Sequence, residues 1–161
     1  MRTPDDLQAF LDAHEIPGEI IRLTVPTPTV QAAADALGVS PNQIIKSVLF
    51  LTPTAPVIAL GYGLNHIDKR AVTTFLGIGR KRAKLADSEK VLALTGYPAG
   101  AVPPFGYPQP IRTLIDPVIL THEVIYAGGG GGSAMMRLDP ALLPGITKGA
   151  MLSLMKEPKH D

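Results

Sequence analysis

Two short apolar runs separated by a proline-bracketed turn constrain this chain more than any other feature of its sequence. The first, Ile44-Ile-Lys-Ser-Val-Leu-Phe-Leu51, is aliphatic, β-branched or aromatic except at Lys46 and Ser47 and reads as a strand. Pro53 to Pro56 then turns the chain into a second run, Val57 to Tyr62, and the two together predict a hairpin. With a period of two, Lys46 shares a face with Ile44, Val48 and Phe50, while Ser47 points the other way with Ile45 and Leu49. An ammonium on a largely apolar face is costly unless something polar or negative meets it. Either the lysine stem packs and its head reaches water, or the amine is aimed into a pocket that awaits a substrate oxygen.

The remaining elements follow in order. Thr3 to His14 predicts a first helix with Thr3 as N-cap, Pro4 in its first turn and a stripe of Leu7, Phe10 and Leu11. A short strand is expected over Glu19–Leu23, then an extended link over Thr24–Pro28. Thr29 caps a second helix in which Val30, Ala33, Ala34 and Leu37 recur at helical spacing up to Gly38. Asp68 and Asp87 are candidate caps for two further helices ending at Gly77 and Gly96. Gly96 to Pro110 is too broken by glycine and proline for regular structure. Strands are expected over Ile111–Ile115, Glu123–Ala127 and Ala134–Leu138, and a last short helix from Asp139-Pro140, with Met151–Met155 as a further apolar segment. Interspersed helices and partly antiparallel strands make the class α+β.

At 161 residues, 45% hydrophobic and 18% charged, the chain is long and apolar enough to bury a core. No internal repeat or dividing linker is seen, so residues 1–161 are expected to form one domain. A net charge of +1 leaves no global basic field, so a nucleic-acid partner would have to be met by a local patch. Arg80, Lys81, Arg82 and Lys84 are the candidate patch, read either as a solvated face or as a contact for nucleic-acid phosphates. No basic-then-apolar leader opens the sequence and no apolar run approaches the ~18 residues of a membrane span, so the expected compartment is the cytoplasm, without a membrane partner.

Much familiar chemistry is missing from the sequence. There is no cysteine, and His14, His66, His122 and His160 lie far apart without ligand spacing, so no metal site is expected. Ser133 follows glycines, but Met135 stands where a nucleophile elbow needs glycine. Arg82 breaks the dinucleotide-loop pattern begun by Gly77-Ile-Gly79, and Gly145-Ile-Thr-Lys-Gly fails as a P-loop. What remains is one lysine and backbone amides in glycine-rich loops.

Several features in order carry a family resemblance: Leu37-Gly38-Val39 after an alanine-rich helix, Ile44-Ile-Lys-Ser-Val-Leu-Phe50, Leu94-Thr-Gly-Tyr97, Gly100-Ala-Val-Pro-Pro104-Phe-Gly106 and Tyr126-Ala-Gly-Gly129. Together they span most of the chain, and the sequence resembles the YbaK/ProX family of aminoacyl-tRNA deacylases, relatives of the editing domain inserted in bacterial prolyl-tRNA synthetases. The resemblance implies a compact α+β fold with a mixed, barrel-like sheet flanked by helices, and hydrolysis of the ester joining an amino acid to the tRNA 3′ end, without metal or organic cofactor. Lys46 falls on the family's essential lysine, Gly100 and Pro104 on its Gly-x-x-x-Pro loop, and Gly128 and Gly129 on the glycine turn opposite.

Those assignments make Lys46 and Gly100 the candidate catalytic residues, with Lys46 an electrostatic anchor and the ribose hydroxyl beside the ester helping to orient water. Ser47, Phe50, Tyr62, Pro104, Gly128, Gly129 and Ser133 are the candidate substrate contacts; Phe50 and Tyr62 read as core or pocket wall rather than as base-stacking platforms, and Ser47 either bonds the substrate or satisfies its own backbone. Tyr97 reads as loop scaffolding. The expected partner is an aminoacyl-tRNA, with tRNA-Pro carrying alanine or cysteine first, and a prolyl-tRNA synthetase as a candidate second partner. Family members often carry histidine in the turn after Ala-Gly; here Gly130-Gly-Gly-Ser-Ala-Met-Met136 has only Ser133 as a polar residue. That implies a roomier pocket, or one floored by Met135 or Met136. The alternative to an enzyme is a module of the same fold that binds tRNA or its aminoacyl end without turnover.

Overall fold

The computed structural model describes residues 1–156. Helix α1 spans Pro4–Ala13. Thr3 caps it by accepting the Asp6 N–H while the Asp6 carboxylate accepts the Thr3 N–H, a reciprocal cap that satisfies both otherwise orphaned donors. Leu7 and Leu11, one turn apart, are fully buried, and each contributes about 1.5–3 kcal/mol relative to exposure. Strand β1 (Glu19–Arg22) follows, then α2 (Val30–Leu37), capped by Thr29 and closed by Gly38 in the left-handed region.

The hairpin forms as expected: β2 (Ile45–Leu51) pairs antiparallel with β3 (Val57–Tyr62), placing Lys46 opposite Gly61 and Ser47 opposite Leu60. Helix α3 (Lys69–Leu76) is capped by Asp68. The basic stretch, which carried no predicted element, forms a 3-10 turn over Arg80–Arg82 and a short strand β4 (Lys84–Leu85) pairing with Phe50 and Leu51. Helix α4 (Ser88–Thr95) is capped by Asp87 and ends at Gly96, after which the chain stays irregular up to β5 (Arg112–Ile115). A 3-10 turn, Pro117–Thr121, leads to β6 (Ile125–Gly128); β7 (Ala134–Leu138), α5 (Leu143–Thr147) and β8 (Ala150–Met151) follow.

The strands form two sheets, one ordered β1-β7-β6 and antiparallel, the other β4-β2-β3-β5-β8 and mixed, because β3–β5 and β5–β8 are parallel. A parallel bridge between Ile44 and Tyr126 links them. The main core, including Leu7, Leu49, Leu60, Ile125 and Met136, packs between the elements. A second cluster of Phe50, Val57, Ala59, Val72, Leu114 and Leu154 lies under α3 on the opposite face of the larger sheet. The alternation read from the sequence is therefore used on both faces: Ile45 and Leu49 enter the main core, Phe50 the second cluster. The C-terminal segment is tied down by buried Asp116, whose carboxylate accepts the N–H groups of Val118 and Leu154.

Candidate active site

Beyond the Ile44–Tyr126 bridge, β2 and β6 diverge, and β4 reaches no further along β2 than Phe50. The edge of β2 at Lys46 and Ser47 is left open there. A cavity of about 240 Å³ occupies the gap, lined by Ile45, Lys46 and Ser47 of β2, Gly100 and Val102 of the irregular loop, and Gly128 of β6. Thr27, Thr29 and the first turn of α2 close another side, and Met135 contributes apolar surface. Lys46 and Ser47 reach the same cavity from opposite faces of the strand because the cavity lies on its edge.

Lys46 is half-buried, and its Nζ donates to the backbone carbonyl of Asn65 in the turn after β3. Burial holds the amine below the ordinary lysine value of 10.5, since the charged form loses solvation. Among the described residues no carboxylate pairs with it, so its charge is left to whatever enters the cavity. Among the described residues it is also the one ionisable side chain on the cavity wall. The Ser47 Oγ is buried beside the Tyr107 phenol and makes no well-formed hydrogen bond among the described residues, an arrangement that costs free energy unless the two hydroxyls or a ligand adjust to meet it.

The two glycine-bearing segments lock together. A Cβ added at Gly128 would lie 2.3 Å from the Val102 carbonyl oxygen, so glycine is what allows β6 and the loop to approach. The Gly130 N–H donates to the Ala101 carbonyl at 2.9 Å, joining the same segments a second time. Gly100 has φ +84°, a conformation that side-chain-bearing residues disfavour, although the space around it is open. The amides of Gly100 and Val102 make no hydrogen bond among the described residues.

The structure therefore gathers Lys46, Ser47, Gly100 and Gly128 at one cavity and places the other candidates elsewhere. Phe50 is buried in the second cluster. Tyr62 is half-buried against the main core, its phenol pushed up by burial and by the Asp116 charge. Pro104 lines a separate cavity of about 160 Å³ with Phe10, Phe105 and Tyr107. The N–H of Gly129 donates to Ala134 and closes the β6–β7 turn, and Ser133 is exposed on that turn, its carbonyl accepting from Leu23. Arg80, Lys81, Arg82 and Lys84 are all exposed; Arg80 joins Lys69, Arg70 and Lys156 around a surface groove away from the cavity. Of the two candidate floors, Met135 lines the cavity and Met136 is core.

Sequence reasoning missed Thr27, Thr29, Val30 and Ala33 as cavity residues. Their available signal was the capped start of α2, whose positive end favours developing negative charge. It also missed Tyr107, which donates its hydroxyl proton to the Pro103 carbonyl at 2.6 Å and so anchors the loop from below. Burial pushes the Tyr107 phenol well above its ordinary value.

The sheet pair thus opens beside a lysine, faced by two interlocked glycine segments. A model of the aminoacyl-tRNA editing domain matches residues 24–144, and the chain belongs to that family. The proline–tRNA ligase of Desulfotalea psychrophila is 27% identical over 125 residues, covering 78% of this chain and 20% of the ligase. The chain thus spans 15–20% of the length of the ligases it matches. The uncharacterized protein YwhH of Bacillus subtilis is 25% identical over 123 residues, 76% of each chain. Among solved structures, a candidate trans-editing enzyme for prolyl-tRNA synthetase superposes with a TM-score of 0.86 at 28% identity, covering 96% of this chain and 97% of that one. Its fold is the same α+β arrangement.

Proposed function

We propose that this chain is a trans-editing deacylase that hydrolyses the ester of a misacylated tRNA, tRNA-Pro carrying a small wrong amino acid being the first candidate. The observation that carries the reading is the convergence of Lys46, the Gly100–Val102 loop and Gly128 on one cavity in a member of an editing-domain family. The cavity, about 240 Å³, is smaller than the roughly 300–1,000 Å³ of sites for drug-sized ligands, which suits a small aminoacyl group.

In this reading a water oxygen attacks the ester carbonyl carbon, the bond from that carbon to the ribose oxygen breaks, and the ribose oxygen leaves with a proton. Free amino acid and tRNA are the products. Lys46 exchanges its bond to Asn65 for a substrate oxygen and anchors it by charge. The unbonded amides of Gly100 and Val102 are available to the developing oxyanion, the interaction that usually contributes most to acyl transfer. Because no histidine or carboxylate lines the wall among the described residues, the ribose hydroxyl beside the ester orients the water, and Lys46 is an anchor and not a general base. Ser47 supplies a further hydrogen bond to the aminoacyl group. Arg80, Lys81, Arg82 and Lys84 meet tRNA phosphates, a synthetase delivers the substrate, and the setting is the cytoplasm. Among the described residues no helix is long and apolar enough to cross a membrane.

That no side-chain base lines the cavity among the described residues also favours a second reading, a module that holds the aminoacyl end without turnover. A deacylation panel of tRNA-Pro charged with alanine, cysteine or serine, run with wild type and Lys46→Ala, separates the two. Hydrolysis of one member, reduced about 10²–10³-fold in the variant, supports the enzyme. Bound tRNA with silence across the panel supports the module. Wild-type rates in Lys46→Ala overturn the role given to the lysine.

A further inference from the structure

Arg2 lies outside the matched span and away from the cavity, yet it holds both ends of the segment that carries Gly100. Its backbone N–H donates to the Gly96 carbonyl at 2.7 Å, and its guanidinium Nη1 donates to the Gly106 carbonyl at 2.8 Å. Its stem packs on Gly96, where an added Cβ would come within 2.9 Å of Arg2 Cδ. The guanidinium also lies beside the buried phenol of Tyr97, where its charge opposes the upward push of burial. The residues that follow continue the contact: Thr3 and Pro4 back Gly130, whose N–H holds the Ala101 carbonyl.

Between Gly96 and Gly106 no strand ladder sets the spacing of the chain. Among the described residues the local ties are few, the Ala101 N–H to the Pro98 carbonyl, the Tyr107 hydroxyl to the Pro103 carbonyl and the exchange between the Thr95 hydroxyl and the Tyr97 backbone, and none spans the base of the loop. One residue with two donors, one of them charge-assisted, does span it. We propose that Arg2 is a positioning residue for deacylation: by bridging the Gly96 and Gly106 carbonyls it sets the width of the loop's base, and so the placement of Gly100 and Val102 at the cavity. The proposal rests on the deacylase reading.

The test uses the full chain with Arg2→Met and Arg2→Lys, read by steady-state kinetics on the aminoacyl-tRNA that wild type hydrolyses and by amide hydrogen exchange. Arg2→Met is expected to lower kcat roughly 10–100-fold with KM within about 2-fold, because small misplacement of a reacting constellation acts on the chemical step. Exchange at the amides of residues 100–102 and 130 should rise about 10-fold or more while the β2–β3 amides stay unchanged, as for a local opening. Arg2→Lys, which can still reach the Gly106 carbonyl with one donor, should recover part of both effects. It also carries the test if Arg2→Met fails to fold. A folded Arg2→Met with wild-type kcat overturns the positioning role, even if its melting temperature has dropped. Unchanged exchange over the loop overturns the clamp itself. A wild type inactive on every aminoacyl ester overturns the deacylase reading, and the exchange measurement still decides whether Arg2 holds the loop.

Discussion

The two walls of the cavity are held by different means. On one side β2 is fixed by the ladder to β3, six consecutive register pairs from Ile45–Tyr62 to Phe50–Val57, and its side chains hang from a frame they do not create. On the other side, the Gly96–Gly106 segment has no ladder. It is placed by point contacts from distant parts of the chain: Arg2, Tyr107, the Gly130 N–H and the close approach of Gly128. The difference teaches where function can be lost without loss of fold. Removing a side chain from β2 should subtract chemistry, whereas removing a contact from the loop should move it.

Gly128→Ala is the sharpest way to break the loop side. Its Cβ would sit 2.3 Å from the Val102 carbonyl oxygen, so backbone must shift. Overpacking of this kind costs about 1–3 kcal/mol, and displacement of the loop should reduce deacylation roughly 10²-fold. Thermal melts and single-turnover rates check both numbers, with Gly132→Ala as control, since nothing lies within 4 Å of that position. A Gly128→Ala chain as active as wild type would contradict the account of the two interlocked segments.

Tyr107→Phe is the next largest. It leaves the buried Pro103 carbonyl without its donor and should cost about 1–3 kcal/mol, visible as a lowered melting temperature, with activity falling alongside because the loop loosens. Equal stability in the two proteins would show that the hydroxyl contributes nothing to placing the loop.

The smallest effect sharpens the β2 side. Burial lowers the Lys46 pKa below 10.5, so the folded chain binds fewer protons than the unfolded chain between the folded value and 10.5. The cost of holding the charged amine is fully present below the folded value and is relieved as pH rises towards 10.5. Wild-type stability should therefore rise with pH across that window relative to Lys46→Met. Activity should run in the opposite sense, its alkaline limb falling at a pH below 10.5 as the anchoring charge is lost. Parallel pH profiles for the two proteins would remove the buried charge from the mechanism.

Local features were readable from the chain because local physics decides them. The caps Thr3, Thr29, Asp68 and Asp87, the hairpin and the β7 strand over Ala134–Leu138 stand where side-chain chemistry and alternation place them. Placement around the cavity was readable only in part. The sequence ties Gly100 and Pro104 to one motif, but the turns between them send Pro104 to a different cavity with Phe10 and Tyr107. Phe50 shares a strand face with Lys46, yet α3 covers that end of the face and leaves the lysine end open.

By itself the sequence determined where the longer helices and strands and the irregular Gly96–Pro110 loop lie, which strand carries a lysine against its apolar pattern, and which glycines stand in motif positions, but not the short β4 and β8. Tertiary structure decided the rest. The register pairing Gly128 with Met135 chose the cavity's methionine, the early end of β4 freed the strand edge that lets Lys46 and Ser47 share one site, and Arg2 came to span the loop's base. The reason is range: caps and alternation act over a few residues, whereas a cavity exists only where strands distant in sequence part and close again.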